Sequence, residues 1–238
     1  MSKHSKWSKV KNEKGVADAK RAGVFTKLGR AITIAAKQGG GDPSMNFRLR
    51  LAIEKAKGAS MPKDTIERAV ARGTGTEDGA TIEEATYEGF GPGGAAILVH
   101  ALTDNKNRTL MNIRTAFSKH GGNLGGQNAI AWMFEQRGVI RIPVQEGEET
   151  LLQLIDAGAE DVREEDDGVT LLVAPERLEE VKGRLETLGY TQDFAEVSLL
   201  PKEKVSIADP TTRTQLETLL DILEEDEDVD DVVTNADM

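Results

Sequence analysis

The sequence predicts an α+β fold in which a basic, helical N-terminal region precedes alternating strands and helices. Apolar residues recur with helical spacing through residues 16–73, whereas short apolar runs of strand length alternate with helical segments through residues 95–233. The chain has 238 residues, of which 38% are hydrophobic and 30% charged, a balance typical of globular proteins with room for about one to three domains. A mixed fold with more than one domain is therefore expected.

The N-terminal region is expected to form three short amphipathic helices. The first covers residues 16–38 and carries an apolar stripe flanked by lysines and arginines that we expect to face solvent. Asp42 followed by Pro43 predicts the start of the second helix, because an aspartate cap and a proline in the first turn are typical of helix starts. The third helix is expected from Pro62 to Gly73. Together the three helices predict a small bundle.

The rest of the chain is expected to fold as two α/β domains, one inserted in the other. Residues 137–200 predict the element order βαββαβ, which is the ferredoxin-like order. Residues 77–136 predict one βαβ unit, with strands at residues 95–102 and 129–134 and a helix at residues 105–120. Residues 201–238 predict a second βαβ unit, and the two units together complete a split ferredoxin-like domain. The helical bundle then forms a basic domain of residues 1–76. Residues 73–79, GTGTEDG, predict a linker that allows this domain flexible placement.

Charge is distributed very unevenly along the chain. Residues 1–72 contain 17 lysines and arginines against 6 aspartates and glutamates, a net charge of +11. The remaining residues contain 13 against 35, a net charge of −22, so the whole chain carries −11. Solubility alone does not require +11 in so short a segment, and like charges there repel one another. The asymmetry predicts a polyanionic partner for the basic region.

Several kinds of chemistry lack the residues they require. The chain has no cysteine, which excludes disulfides, thiolate zinc sites and cysteine nucleophiles. His4, His100 and His120 lack the spacing of metal ligands, and no serine lies in a glycine elbow. The glycine-rich residues 89–94 lead into a strand rather than a helix, so they predict a hairpin turn and not a phosphate loop. Residues 224–231 lack the glycine and glutamate of a calcium loop and predict a solvated acidic edge. No catalytic residue, metal or cofactor is expected.

The sequence also gives no indication of a membrane association. No window contains the roughly 18 uncharged apolar residues that a bilayer helix requires. The first residues, MSKHSKWSKVKNEK, carry lysines without a following apolar segment, unlike a secretory signal. We therefore expect a cytoplasmic protein without a membrane partner.

Five sequence blocks, in order, resemble one known family. They are KHSKWSKVKNEKGVADAKRAGVFTKLGRAI from Lys3, GGGDPSMNFRLRLAIEKAKGASMPKDTIERAV from Gly39, YEGFGPGG from Tyr87, TDNKNRT from Thr103 and FSKHGGNLG from Phe117. These blocks look like the YebC/PmpR family, which includes the mitochondrial translational activator of cytochrome oxidase. The resemblance implies three domains and no enzymatic activity. It also implies either DNA-binding transcriptional regulation or ribosome-associated help with the translation of proline-rich stretches.

The candidate nucleic-acid-binding residues combine this resemblance with the charge pattern. The tail and the first helix match cationic blocks of the family, and a further lysine matches its MPKD turn. An aromatic ring among lysines can stack on a base, although Trp7 could instead pack back on the bundle. Two residues depart from the family pattern: Lys3 stands where many members have glycine, and Asn128 stands where a glycine is usual after GNLG. The candidates are Lys3, Lys6, Trp7, Lys9, Lys20, Lys27, Arg30, Lys37 and Lys63.

The sequence therefore predicts a non-enzymatic, nucleic-acid-binding regulator of gene expression. DNA and ribosomal RNA, and hence transcription and translation with the ribosome as a partner, stay open as targets. We expect a monomer, because no apolar stripe is left over once the cores are assigned. The alternatives are an adaptor whose acidic domains bind basic proteins and, with least support, an enzyme that uses a ferredoxin-like cleft.

Overall fold

The computed structural model describes residues 18–144, 147–165 and 168–238 of the chain. The chain forms two compact units, one containing residues 1–133 with 201–238 and the other residues 134–200. The first unit begins with helices and continues with a sheet and helices, and the second is a sheet with helices. The predicted α+β class is therefore confirmed. Within the described residues, no helix combines the length and the apolar character that crossing a membrane requires.

The predicted three-helix bundle is present at the start of the first unit. It consists of α1 (Asp18–Gly39), α2 (Phe47–Gly58) and α3 (Lys63–Gly73). The apolar faces of the helices meet in one core, in which Ile32 and Leu49 are fully buried. Helical periodicity identified the buried stripes except at Met45. The pattern places Met45 on the buried face of α2, whereas it precedes the helix and is 84% exposed.

The second helix begins later than the sequence predicts. It starts at Phe47, and the side chain of Asn46 caps it, with Oδ1 accepting from the backbone N–H of Leu49 at 3.0 Å. The Asn46 amide also donates to the carbonyl oxygens of Ala35 and Gly40 at 2.8 Å. Because Asn46 joins two helix ends from a buried position, it replaces the predicted Asp42 cap, and Asp42 instead forms a turn with Ser44.

A four-stranded sheet forms the centre of the first unit. Its strands are β1 (Glu83–Phe90), β2 (Ala96–Thr103), β3 (Asn123–Leu124) and β9 (Val229–Thr234), in the order β3-β1-β2-β9. All of its pairings are antiparallel. The helices α4 (Lys106–Lys119) and α7 (Pro210–Glu225) pack on it around a core that includes Phe117 and Leu216. A short parallel pair, β8 (Val205–Ser206) and β10 (Ala236–Asp237), completes the unit.

Two connections of this sheet test the sequence predictions. The predicted hairpin turn of residues 89–94 joins β1 to β2, with the backbone N–H of Gly91 donating to the carbonyl oxygen of Ala95 at 2.8 Å. The predicted strand at residues 129–134 is wrong, because Ala131–Met133 forms a 3₁₀ turn. The sheet edge is taken by β3 instead, so the first half of the domain has the order ββαβ rather than βαβ.

The second unit has the ferredoxin-like element order that the sequence predicts. Its strands are β4 (Phe134–Ile142), β5 (Asp161–Glu165), β6 (Gly168–Val173) and β7 (Phe194–Pro201). The helices α5 (Glu148–Ala157) and α6 (Leu178–Thr187) connect them, and the sheet order is β5-β6-β4-β7. Every residue of β6 is buried, including the polar Thr170.

Candidate nucleic-acid interface

The structure describes only part of the predicted site. The tail candidates Lys3, Lys6, Trp7 and Lys9 lie outside the described residues. Lys20 belongs to α1, but its side chain is also outside the described part. The candidates that can be placed are therefore Lys27, Arg30, Lys37 and Lys63.

Lys27 and Arg30 contact residues 224–231 of the same chain, called here the acidic segment. The ammonium group of Lys27 donates to the carbonyl oxygen of Glu224 at 2.5 Å. The guanidinium of Arg30 donates to the carbonyl oxygen of Glu227 at 2.5 Å and to Oδ1 of Asp228 at 2.7 Å. The Arg30 side chain is only 16% exposed. The prediction that these two cations face solvent is therefore wrong, because the acidic segment folds onto α1.

Burial sets the protonation behaviour of Lys27. Loss of hydration lowers the pKa of its ammonium group below the usual 10.5, although the nearby carboxylates of Asp230, Asp226 and Glu224 act in the opposite direction. The charged ammonium is therefore less favourable in this position than in water, in spite of three acidic neighbours.

Asp228, a residue of the acidic segment, contacts both α1 and α4. Its side chain is 4% exposed, and it accepts from Nη2 of Arg108 at 2.8 Å and from the hydroxyl of Thr109 at 2.7 Å, in addition to Arg30. Burial by itself raises the pKa of this carboxyl. The hydrogen bonds of Arg108 and Thr109 and the charges of both arginines lower the pKa by more than burial raises it, so the pKa lies below the usual 3.8. The prediction of a solvated acidic edge is therefore wrong at Asp228.

The other end of α1 is attached to the start of β1. Lys37 donates to the carbonyl oxygen of Ile82 at 3.3 Å, and the amide of Gln38 donates to Glu84 at 3.1 Å. Arg48 of α2 forms an ion pair of 2.5 Å with the same Glu84 carboxylate. The helical bundle thus contacts the split domain at two places. The flexible placement of the bundle stays a prediction.

Lys63 lies in a different group of cations, at the turn between α2 and α3. Lys55 and Lys57 are in the last turn of α2, and Lys63 is the first residue of α3. Backbone hydrogen bonds from Ala59 to Lys55 at 3.1 Å and from Ser60 to Lys57 at 2.9 Å close the turn. All three lysine side chains are exposed. We call Lys55, Lys57 and Lys63 the basic corner.

Only one member of the basic corner is among the residues predicted from the sequence. Lys63 matches a family block, whereas Lys55 and Lys57 are not among the candidates. The sequence does contain a signal, since two lysines in the last turn of one helix are followed after a short connection by a third at the start of the next. Within the described residues, no group of three or more histidine, aspartate or glutamate side chains is placed to hold a metal ion.

A second feature of the first unit is a polar cleft beside the loop of residues 121–133. The cleft has a volume of about 460 Å³, and its lining includes Arg114, Ser118, Gly125 and Gly126. The buried carboxylate of Glu88 holds the loop by accepting from the backbone N–H groups of Asn128, Ile130 and Ala131 at 2.7, 2.8 and 2.9 Å. Trp132, at the end of the loop, is 67% exposed.

Asn128 offers a test of the loop conformation. Its backbone has a φ of 62°, in the left-handed region that asparagine and glycine tolerate and β-branched residues do not. Replacing Asn128 by valine should lower the free energy of unfolding by about 1–2 kcal/mol, whereas glycine should change it by less than about 1 kcal/mol. Chemical denaturation of both variants measures the difference. Equal stability of the two would show that the left-handed conformation is not required.

Comparison with known proteins places the whole chain in one group. A family model described as the TACO1/YebC protein N-terminal domain matches residues 5–76, and one described as the TACO1/YebC second and third domain matches residues 82–236. The chain is 52% identical over 242 residues to a protein from Moorella thermoacetica named probable transcriptional regulatory protein, covering 100% of this chain and 96% of the relative. It is 47% identical to the probable transcriptional regulatory protein YrbC of Bacillus subtilis, covering 99% of each.

A solved structure shows the same architecture. The crystal structure of the conserved hypothetical protein Aq1575 from Aquifex aeolicus superposes with a TM-score of 0.88 at 43% sequence identity. The superposition covers 98% of this chain and 97% of the other. The fold is therefore shared over almost the full length of both proteins.

Proposed function

The chain belongs to the TACO1/YebC family, and we propose that it is a nucleic-acid-binding regulator of gene expression that catalyses no reaction. The relatives from Moorella thermoacetica and Bacillus subtilis bear the name probable transcriptional regulatory protein, which supports the regulatory role. The observation that carries the binding role is the net charge of +11 on residues 1–72 of a chain that is otherwise strongly acidic. Such a region attracts the polyanionic phosphate backbone of a nucleic acid.

The basic corner is the described surface best suited to phosphate contacts. Lys63 is 85% exposed, and its ion pair with Glu67 is 3.5 Å long and lies on the helix surface. Surface pairs of this kind contribute at most about 1 kcal/mol, so a phosphate can replace the glutamate. The predicted tail lysines, Lys3, Lys6 and Lys9, would extend the same electrostatic attraction.

The proposed mode of binding reads the nucleic-acid backbone rather than its sequence. Lysine is a point charge that meets phosphates without fixed geometry, whereas base reading relies on bidentate arginine, asparagine or glutamine. The amide of Asn46 is buried as a helix cap, and that of Gln38 is bonded to Glu84. The acidic remainder of the chain would be repelled by phosphates and would orient the basic bundle toward them. Both duplex DNA and ribosomal RNA fit this mode.

Replacement of Lys55, Lys57 and Lys63 by alanine tests the proposal. Each phosphate contact contributes roughly −0.9 on duplex DNA, or about −0.7 on single strands, to the slope of log affinity against log salt. The triple variant should therefore flatten the slope by about 2–3 units. Fluorescence anisotropy of a labelled 20-base-pair DNA, and of single-stranded RNA of equal length, measures it between low and physiological salt.

A matched control removes three cations from the inserted unit. The variant with Arg163, Arg177 and Lys182 changed to alanine loses the same charge and should keep the original slope. If this control flattens the slope as much as the basic-corner variant, the binding surface lies elsewhere. Co-sedimentation with ribosomes, compared with binding to the duplex, then assigns the target to ribosomal RNA or to DNA.

A further inference from the structure

We propose that the acidic segment, residues 224–231, is an internal competitor of nucleic acid that covers the phosphate-binding face of α1. In this state Lys27 and Arg30 are bonded to the segment and become available to phosphates only when α1 separates from it. The inference rests on the proposed function and adds a means of regulation to the same basic domain. Its basis is the set of contacts between α1 and the acidic segment.

The acidic segment presents to α1 the kind of atoms that a phosphate backbone presents. Lys27 and Arg30 donate to two carbonyl oxygens and one carboxylate oxygen at distances of 2.5 to 2.7 Å. Seven of the eight residues of the segment are aspartate or glutamate. Glu224 lies in the last turn of α7, where the helix dipole adds partial negative charge. A row of anionic and partly negative oxygens therefore occupies the cationic face.

The contact can open without leaving a buried charge unpaired. Asp228 keeps Arg108, through Nε at 3.2 Å and Nη2 at 2.8 Å, and the hydroxyl of Thr109 when Arg30 departs. Arg30 is thus an additional partner of a carboxylate that is already satisfied. Water can replace Lys27 at the carbonyl oxygen of Glu224, which lies at a helix end. Burial also lowers the pKa of Lys27, so release to water relieves a desolvated ammonium.

Competition of this kind selects densely charged polymers. Opening the contact removes two favourable interactions at once, so a ligand must supply several phosphates together to replace them. A nucleic-acid strand that already contacts the basic corner supplies several phosphates together, because its further phosphates have a high local concentration near α1. A mononucleotide has no such advantage and should not open the contact.

The decisive experiment weakens the acidic segment without disturbing Asp228. Glu224→Gln and Asp230→Asn together remove two carboxylates that face Lys27 and leave side-chain shape almost unchanged. In the full chain, affinity for a labelled 20-nucleotide single-stranded RNA should increase by about threefold or more, because the open fraction rises. The slope of log affinity against log salt should steepen by about 1 unit as Lys27 and Arg30 join the interface.

Two comparisons separate masking from a general loss of negative charge. Glu217→Gln with Asp221→Asn removes the same charge from earlier turns of α7 and should change the affinity little. In a Lys27→Ala, Arg30→Ala background, the two substitutions in the acidic segment should no longer increase affinity. An equal increase in that background would overturn the proposal, because the effect would then not pass through these two cations.

A readout that does not depend on binding distinguishes failure of masking from failure of the proposed function. Acylation of Lys27, followed by mass spectrometry, should be slow in the wild-type chain and faster in the Glu224→Gln, Asp230→Asn variant. Unchanged acylation of Lys27 in the variant would overturn the masking proposal and leave the proposed function intact. Faster acylation in a chain that binds neither RNA nor DNA would contradict the proposed function and restrict the segment to a structural contact.

Discussion

Replacement of Asp228 by alanine is expected to lower the free energy of unfolding by about 3 kcal/mol, since removal of one partner from a buried ion pair leaves the others unsatisfied. The carboxylate is 4% exposed and accepts from Arg30, Arg108 and Thr109. Thr109 is fully buried and would lose its carboxylate acceptor. Chemical denaturation, followed by circular dichroism, measures the change.

Two variants separate this effect from the loss of any surface pair. Asp237 forms an exposed pair of 3.6 Å with Lys204, so Asp237→Ala should leave the stability close to that of the wild type. Arg30→Ala should be much milder than Asp228→Ala, because Arg108 and Thr109 still satisfy the carboxylate. If Arg30→Ala and Asp228→Ala were equally destabilising, Arg30 would be an essential partner and the contact with α1 could not open as proposed.

The same carboxylate gives the stability a defined pH dependence. Its pKa in the folded chain lies below the ordinary value of 3.8, as Arg108, Thr109 and Arg30 outweigh the opposing effect of burial. The unfolded chain therefore binds the proton more readily, and the contribution is fully present above about pH 4 and is lost as the pH falls through the lowered pKa. Asp228→Asn should lack this part of the acid destabilisation.

The sequence predicted the parts of this fold that depend on local patterns. Helical spacing identified the buried faces of α1, α2 and α3, and the order of apolar runs identified the ferredoxin-like unit. The sequence pattern places Phe134 at the end of a strand, whereas β4 begins at this residue. The residues before Phe134 form a turn instead, and this turn is bonded to Glu88, which lies on a strand distant in the sequence. Such long-range side-chain partners leave no periodic signal.

In the candidate site, too, the sequence predicted what depends on local composition and missed what depends on long-range contacts. Charge composition predicted a basic bundle, but it did not show which cations are covered by the chain's own carboxylates. Asp228 looks like its acidic neighbours in sequence, and only the meeting of α1, α4 and the acidic segment buries it. Sequence analysis therefore identified Lys27 and Arg30 as cations of the basic domain and could not reveal that both have internal partners.

Loss of the Glu88 carboxylate, which holds the loop of residues 121–133, should lower the free energy of unfolding about as much as loss of the Asp228 carboxylate. Glu88→Ala leaves three backbone N–H groups without their acceptor, one of them on the fully buried Ile130. An unsatisfied buried donor costs about 1–3 kcal/mol, so a loss of about 2–4 kcal/mol in the free energy of unfolding is expected. Hydrogen exchange should show reduced protection of residues 128–131 before the sheet itself opens.

Glu88→Gln shows why a carboxylate is needed at this position. Two carboxylate oxygens accept three N–H groups, with Oε1 bonded to Asn128 and Oε2 to Ile130 and Ala131. Glutamine has a single acceptor oxygen, and its NH₂ group would face at least one backbone N–H, donor against donor. The variant should therefore be clearly less stable than the wild type in spite of its identical shape, whereas Glu83→Gln on the same strand, at an exposed position, should not be. Wild-type stability of Glu88→Gln would contradict this account, because the loop would then be held by packing rather than by the acceptor-only carboxylate.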